Sequence, residues 1–185
     1  MAGNMAEAVA PARRATEDDL LAAPRDGRKY ELVDGQIVVS PAGARHEVVG
    51  LRLAARLLAF VDAHDLGYVL GSSAGFRLPG GNVRSPDVSF VAKGRFEGGR
   101  APEGFAEVPP DLAVEVLSPG DRARAVLDKV GEYLQAGVRL VWVIDPRAAR
   151  AAVYRSLTDV RELGTADAFD DVLPGFRCDL AEILK

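Results

Sequence analysis

Residues 110–146 read PDLAVEVLSPGDRARAVLDKVGEYLQAGVRLVWVIDP, a strand, a helix and a second strand. Asp111–Leu117 is a short apolar run, and Ser118-Pro119-Gly120 breaks it. Asp121 is expected to cap a helix running from Arg122 to Ala136, which Gly137 ends, as a Gly just past the last turn commonly does. Arg139–Ile144 is a second buried strand, stopped by Asp145-Pro146. One acid, Glu115, lies inside the first strand. A charge in a buried strand costs several kcal/mol unless it is paired. Glu115 therefore calls for a partner, either a metal ion or a cation.

The adjoining helix can supply the cation. A helix following a strand across a tight turn runs back along it. Glu115 lies three residues before Ser118, roughly 10 Å back along the strand. Lys129 lies seven residues past Arg122, roughly 10 Å along the helix. The two distances match, so the ammonium of Lys129 is expected level with Glu115, within about 3–5 Å of a carboxylate oxygen. The plainer alternative is an ordinary solvated lysine on the edge of the stripe formed by Val126, Val130 and Tyr133.

The chain has 185 residues, 48% of them hydrophobic and 27% charged. That is enough for one domain with a full core and no disulfides. Residues 1–15 are expected to form a disordered tail and residues 16–185 a single domain. The one cysteine, Cys178, excludes an internal disulfide framework or a cysteine zinc site and suits a reducing, cytoplasmic setting. No apolar run is long enough to span a membrane, and the Ala-rich N-terminus lacks the basic start and apolar core of a signal peptide. The net charge of −4 argues against a strong nonspecific duplex-DNA binder. It leaves room for a metal-dependent enzyme acting on nucleic acid, because the site itself contributes carboxylates.

From the start of the chain, Thr16 caps a short helix with Glu17, Asp18 and Asp19 at its positive end. Tyr30–Val33 and Gln36–Val39 flank Asp34-Gly35, a two-residue hairpin signal. Glu31 in the first strand reads, by alternation, as an outward-facing acid. Pro41–Arg45 is a loop. His46 to Ala63 is an amphipathic helix with Val49, Leu53, Leu57 and Val61 on one face, joined by Gly50, Ala54 and Leu58. His46 reads as a cap or surface residue at its entrance, and His64 as a C-terminal charge. Tyr68–Leu70 and Gly75–Leu78 read as strands. After a turn at Pro79–Asn82, Val83–Val91 reads as the strand pairing back, irregular at Pro86. Asp87 follows that Pro and reads either as a turn residue or as a site acid. Lys93–Pro109 is a long Gly- and Pro-rich loop. Ala151–Arg155 and Val160–Leu163 extend the sheet, Val172–Phe176 is a bend, and Asp179 caps a last helix, Leu180–Leu184.

The sequence holds no P-loop, no dinucleotide fingerprint, no His-Glu-x-x-His helix and no Gly-x-Ser-x-Gly elbow. What remains is Asp87 and Glu115 on separate strands, with Lys129 on the adjoining helix. Carboxylates and a strand carbonyl are hard oxygen ligands suited to Mg²⁺ or Mn²⁺, and a nearby lysine can orient water or stabilise charge developing on phosphorus.

Seven pieces in order carry a family resemblance: TEDDL, YELVDGQIVVSP, RHEVV, SPDVSFV, PDLAVEVLSPGDR, DKVGEYLQAGVRLVWVIDP and VLPGF. Across about Thr16–Leu184 the chain resembles the Uma-two family of restriction-endonuclease-like proteins, which is similar in fold to the PD-(D/E)xK nucleases. The resemblance implies a mixed α/β sheet flanked by helices, with an N-terminal helix and hairpin. It makes Asp87 the acid of the Pro-Asp element and Glu115 the second acid. Leu117 stands where the simple motif has lysine, so Lys129 takes the place of a lysine migrated to the next helix. Val116 then lends its backbone carbonyl to the metal, and Glu31 completes the site. His46 matches a family histidine and receives no role.

The function this implies is Mg²⁺- or Mn²⁺-dependent hydrolysis of phosphodiester bonds, with DNA the expected substrate and a homodimer the expected assembly. The rivals are a nuclease-like fold used only for binding, and a metal-dependent hydrolase of another substrate. Asp87 and Glu115 are expected on neighbouring strands, close enough to share an ion, with one or both carboxyls raised in pKa by burial and by each other. Lys129→Ala is expected to leave folding nearly intact.

Overall fold

The computed structural model describes residues 13–40, 43–169 and 173–185. Most of the tail assigned to residues 1–15, together with Pro41 of the 41–45 loop and Val172 of the last bend, lies outside them. In chain order the elements are α1 (Glu17–Leu21), β1 (Lys29–Val33), β2 (Gln36–Ser40), α2 (Ala44–His64), β3 (Gly67–Gly71), β4 (Phe76–Arg77), β5 (Val83–Arg84) and β6 (Val88–Ala92). After a single 3₁₀ turn at Glu97–Gly99 come β7 (Leu112–Val116), α3 (Ala123–Gln135), β8 (Leu140–Asp145), β9 (Arg150–Tyr154), β10 (Val160–Leu163), β11 (Ala168–Phe169), β12 (Cys178–Asp179) and α4 (Leu180–Leu184).

Among the described residues, six strands form the main sheet in the order β10-β9-β8-β7-β6-β3. The β7–β8 pair is parallel, as two strands joined by the crossover helix α3 allow, and the other pairs are antiparallel. A smaller sheet, β2-β1-β5-β4, stands beside it. Alternation sorts the main sheet's side chains onto two faces. Leu112, Val114 and Val116 of β7 join Trp142 of β8 in a core with Val49, Leu53, Leu57 and Val61 of α2. Ala113 and Val141 face the other way, into a core with Val130 and Tyr133 of α3. Leu53, Leu57 and Val61 are wholly buried, which stabilises the fold by about 1.5–3 kcal/mol for each. Leu58, assigned from the sequence to the same stripe, is 43% exposed. It lies one position beyond Leu57, a step of about 100° around the helix, and so leaves the buried face.

Three local readings hold. Thr16 accepts from the N–H of Asp19 while the Asp19 carboxylate takes the Thr16 N–H, a capping box. The hairpin turns at Asp34 (φ 50°) and Gly35 (φ 75°), both left-handed as a two-residue turn requires. Gly137, at φ 95°, closes α3. Two others are corrected. The N-cap of α3 is Arg122 and has no side-chain cap; Asp121 instead accepts from the N–H of Ser118 at 2.7 Å and closes the preceding turn. The run 83–91 is two strands, not one. Ser85-Pro86-Asp87 interrupts it, with β5 in the small sheet and β6 in the main sheet. Pro86 cannot donate to a ladder, so the chain changes sheets there and leaves Asp87 at the junction.

Candidate metal and hydrolytic site

Asp87 stands immediately before β6, and its N–H donates to the carbonyl of Val114 at 2.9 Å. That bond sets Asp87 at the end of the β6–β7 ladder, whose last pair is Val88↔Val114, one residue before Glu115 on β7. Glu115 alternates with Val114 and Val116 and therefore projects to the face covered by α3. Two side chains of α3, one turn apart, grip it. Lys129 Nζ lies 2.9 Å from Glu115 Oε2, and the Tyr133 hydroxyl donates to Oε1 at 2.7 Å. Lys129 also reaches Glu31 Oε1 at 3.2 Å. It is not a solvated lysine: its side chain is 15% exposed.

Glu31 departs from the outward-facing reading. It is 2% exposed, with Oε1 accepting from the N–H of Ser85 at 2.7 Å. The small sheet folds against α3, so the face of β1 that alternation alone would give to solvent is covered. Arg84 on β5 joins the layers: it bonds Glu132 of α3 through two nitrogens at 2.7 and 2.8 Å and lies 3.4 Å from Glu31.

Three site contacts are not indicated by the sequence reading. Lys29 Nζ lies 2.7 Å from Asp87 Oδ1. His46, at the start of α2, is no surface residue: its Nε2 lies 2.9 Å from Asp87 Oδ2, which also accepts from the N–H of Val116 at 2.8 Å. Tyr133 counted only as part of an apolar stripe. Period two along β1 puts Lys29 on the face of Glu31, and that is the signal which could have found it. For Tyr133 the signal is the four-residue spacing from Lys129.

The electrostatics separate the acids. Burial opposes ionisation of Asp87, but the hydrogen bond from His46 and the charge of Lys29 outweigh it and hold its carboxyl well below the usual range. Burial raises the Glu115 carboxyl, with help from Asp87 and Glu31, against the pull of Lys129 and Lys29. Burial likewise opposes the charge on Glu31, but Lys129, Lys29 and Arg84 keep its carboxyl low. The bond to Asp87 raises His46. Because the folded pKa of Asp87 is depressed, its stabilisation is present above its unfolded value of about 3.9 and is lost as pH falls below it. Glu115 has the opposite sign, favouring the fold at low pH and losing that contribution as pH rises through its elevated pKa. Asp87→Asn is therefore expected to flatten the acid limb of stability, by about 1 kcal/mol between pH 7 and 3. Urea midpoints measured across that range check it. Parallel curves for variant and parent would contradict the pairing.

A wide cleft of about 1290 Å³ is lined by Lys29, Glu31, His46, Asp87, Glu115 and Lys129. The donor set fits a hard divalent ion. Asp87 and Glu115 face one cleft from adjacent strands. Among the described residues no group of three or more His, Cys, Asp or Glu is placed to hold a metal ion. Mg²⁺ does not need one, since it keeps several waters and takes one or two carboxylates.

A family model described as "Uma2: Putative restriction endonuclease" matches residues 17–181. Among solved structures, a protein from Anabaena variabilis ATCC 29413, described as a putative nuclease belonging to DUF820, is similar with a TM-score of 0.77 at 20% identity. The match covers 91% of this chain and 97% of that one. At that identity the likeness bears on the fold, which is restriction-endonuclease-like. No curated protein matches the chain.

Proposed function

We propose that this chain, which belongs to the Uma2 family, is a divalent-metal-dependent endonuclease hydrolysing phosphodiester bonds of nucleic acid, with DNA as substrate. The observation that carries this reading is the meeting of Asp87 and Glu115 at one cleft with Lys129 held against Glu115. Asp87, Glu115 and the carbonyl of Val116 would hold Mg²⁺ or Mn²⁺. An ion there supplies Lewis-acid polarisation of a phosphoryl oxygen and offsets its charge.

The chain's own groups position the rest. Glu115 takes one of the three N–H donors of Lys129 and Glu31 pairs with its charge, which leaves donor capacity for a water or a non-bridging phosphate oxygen. Glu31 acts by fixing that ammonium. Tyr133 fixes Glu115, and His46 and the Val116 N–H fix Asp87. Arg25 and Arg122 line the same cleft, and guanidinium groups there suit a phosphate backbone despite a net charge of −4. No described helix is long and apolar enough to cross a membrane; a cytoplasmic setting agrees with the single cysteine. A homodimer belongs to the same reading: two sites related by a two-fold axis can cut both strands of a duplex together.

One observation favours a second reading. The carboxylate oxygens of Asp87 and Glu115 already have protein donors, as they would in a nuclease-like fold kept only for binding. A panel of duplex DNA, single-stranded DNA, RNA and small phosphodiesters, incubated with Mg²⁺ or Mn²⁺, decides between the two. Cleavage of DNA that stops on adding EDTA is expected. Cleavage of small phosphodiesters alone would move the protein to another hydrolase class. No cleavage, together with no heat of Mn²⁺ binding by calorimetry, would leave the binding module.

A further inference from the structure

Asp87 is held from three sides, and the three contacts differ in how easily they part. At Oδ2 the donors are the Val116 N–H of a buried strand and the ring of His46. Releasing the first would mean pulling β7 away from its partner strands. At Oδ1 the contact among the described residues is the ammonium of Lys29, at 2.7 Å. Lys29 is the first residue of β1, its side chain is 13% exposed and it lines the cleft. A four-carbon stem with a strongly hydrated head can leave for water without moving backbone.

The charges point the same way. Glu31, Asp87 and Glu115 are faced by Lys29, Lys129 and Arg84, three anions by three cations. Glu132 adds an anion beside Arg84, and His46 a cation when protonated. A divalent ion entering this balanced set would leave two positive charges in excess and would sit beside the Lys29 ammonium. Of the three cations, Arg84 is tied to Glu132 through two nitrogens, and Lys129 is held between two carboxylates. Lys29, no more exposed than Lys129, has one carboxylate contact where Lys129 has two.

We propose that Lys29 is a displaceable counter-ion which occupies the metal-facing oxygen of Asp87 in the metal-free protein, competes with the divalent ion and swings into the cleft when the ion binds. The inference rests on the reading of Asp87 and Glu115 as metal ligands. It makes Lys29 a positioning residue of the resting site that sets how much free metal is needed to load it.

Two measurements test it. In calorimetry with Mn²⁺ alone, Lys29→Met and Lys29→Gln are expected to bind about 10-fold more tightly than the parent, and Lys29→Arg no more tightly than the parent. Circular dichroism identifies folded variants. In the unmodified chain, acylation of lysines read by mass spectrometry is expected to rise severalfold at Lys29 on adding Mg²⁺, while Lys129 stays protected. Unchanged or weaker Mn²⁺ binding in both neutral variants overturns the proposal, as does Lys29 reactivity that stays level or falls. If Mn²⁺ binds neither the parent nor the variants, the metal reading itself fails and takes the inference with it. If Mn²⁺ binds only the neutral variants, Lys29 is the block.

Discussion

Lys129→Met is expected to lower metal-dependent cleavage by about 100-fold or more, the scale of a positioned catalytic group, and to cost the fold several kcal/mol. The second half reverses what the sequence suggests. Read as a helix-edge lysine, residue 129 looks removable at little cost. In the fold it lies 2.9 Å from Glu115 and 3.2 Å from Glu31, with both carboxylates nearly out of solvent. Removing the cation leaves two buried acids facing each other across an apolar methyl.

That loss has a pH signature. Burial already raises the Glu115 carboxyl, and Lys129 is the largest influence pulling it down. Without Lys129 the folded pKa rises further above the unfolded value of about 4.3. The variant's deficit should then be small near pH 4, where Glu115 is protonated in the fold, and grow as pH rises towards the new folded pKa. Urea titrations at pH 4.5 and pH 8, run beside the cleavage assay on a substrate the parent accepts, measure both effects. A variant with parental rate and parental stability at pH 8 would return Lys129 to an ordinary surface lysine.

Glu31→Ala is expected to destabilise by about 3–5 kcal/mol, the usual cost of breaking a buried pair from one side. That corresponds to a fall of roughly 10 °C in Tm for a chain of this size. The substitution removes the acceptor of the Ser85 N–H and a carboxylate partner of both Lys129 and Arg84. The Ser85 donor is left buried and unsatisfied, which alone costs about 1–3 kcal/mol. Glu31→Gln keeps an acceptor for Ser85 and should recover part of the loss. Differential scanning calorimetry of the two variants separates the backbone bond from the charge. A Tm within a degree of the parent for Glu31→Ala would mean that the small sheet does not depend on this acid.

The contact between Lys129 and Glu115 is legible in the sequence because strand, turn and helix are consecutive. Rise per residue fixes how far each chain travels, and the positions follow from counting. Asp87 is harder to place. The Pro before it announces a break, but a break inside one strand and a change of sheet read alike in one dimension. Only the pairing of Val83 with Leu32, and of Val88 with Val114, distinguishes them.

The sequence alone determines the strand–helix–strand unit, the capping box at Thr16, the hairpin at Asp34-Gly35 and the apolar face of α2 around Leu53 and Leu57. These rest on local dihedral preferences and on periodicity, which act within a few residues. The tertiary structure decides what surrounds the acids. Lys29 reaches Asp87 across 58 positions, His46 across 41, and Arg84 reaches Glu31 across 53. Alternation says which side of a strand Glu31 occupies; it does not say whether water or α3 covers that side. Burial follows from how two sheets and a helix close on one another, and burial turns an unremarkable strand glutamate and a helix-entrance histidine into members of a charged cluster.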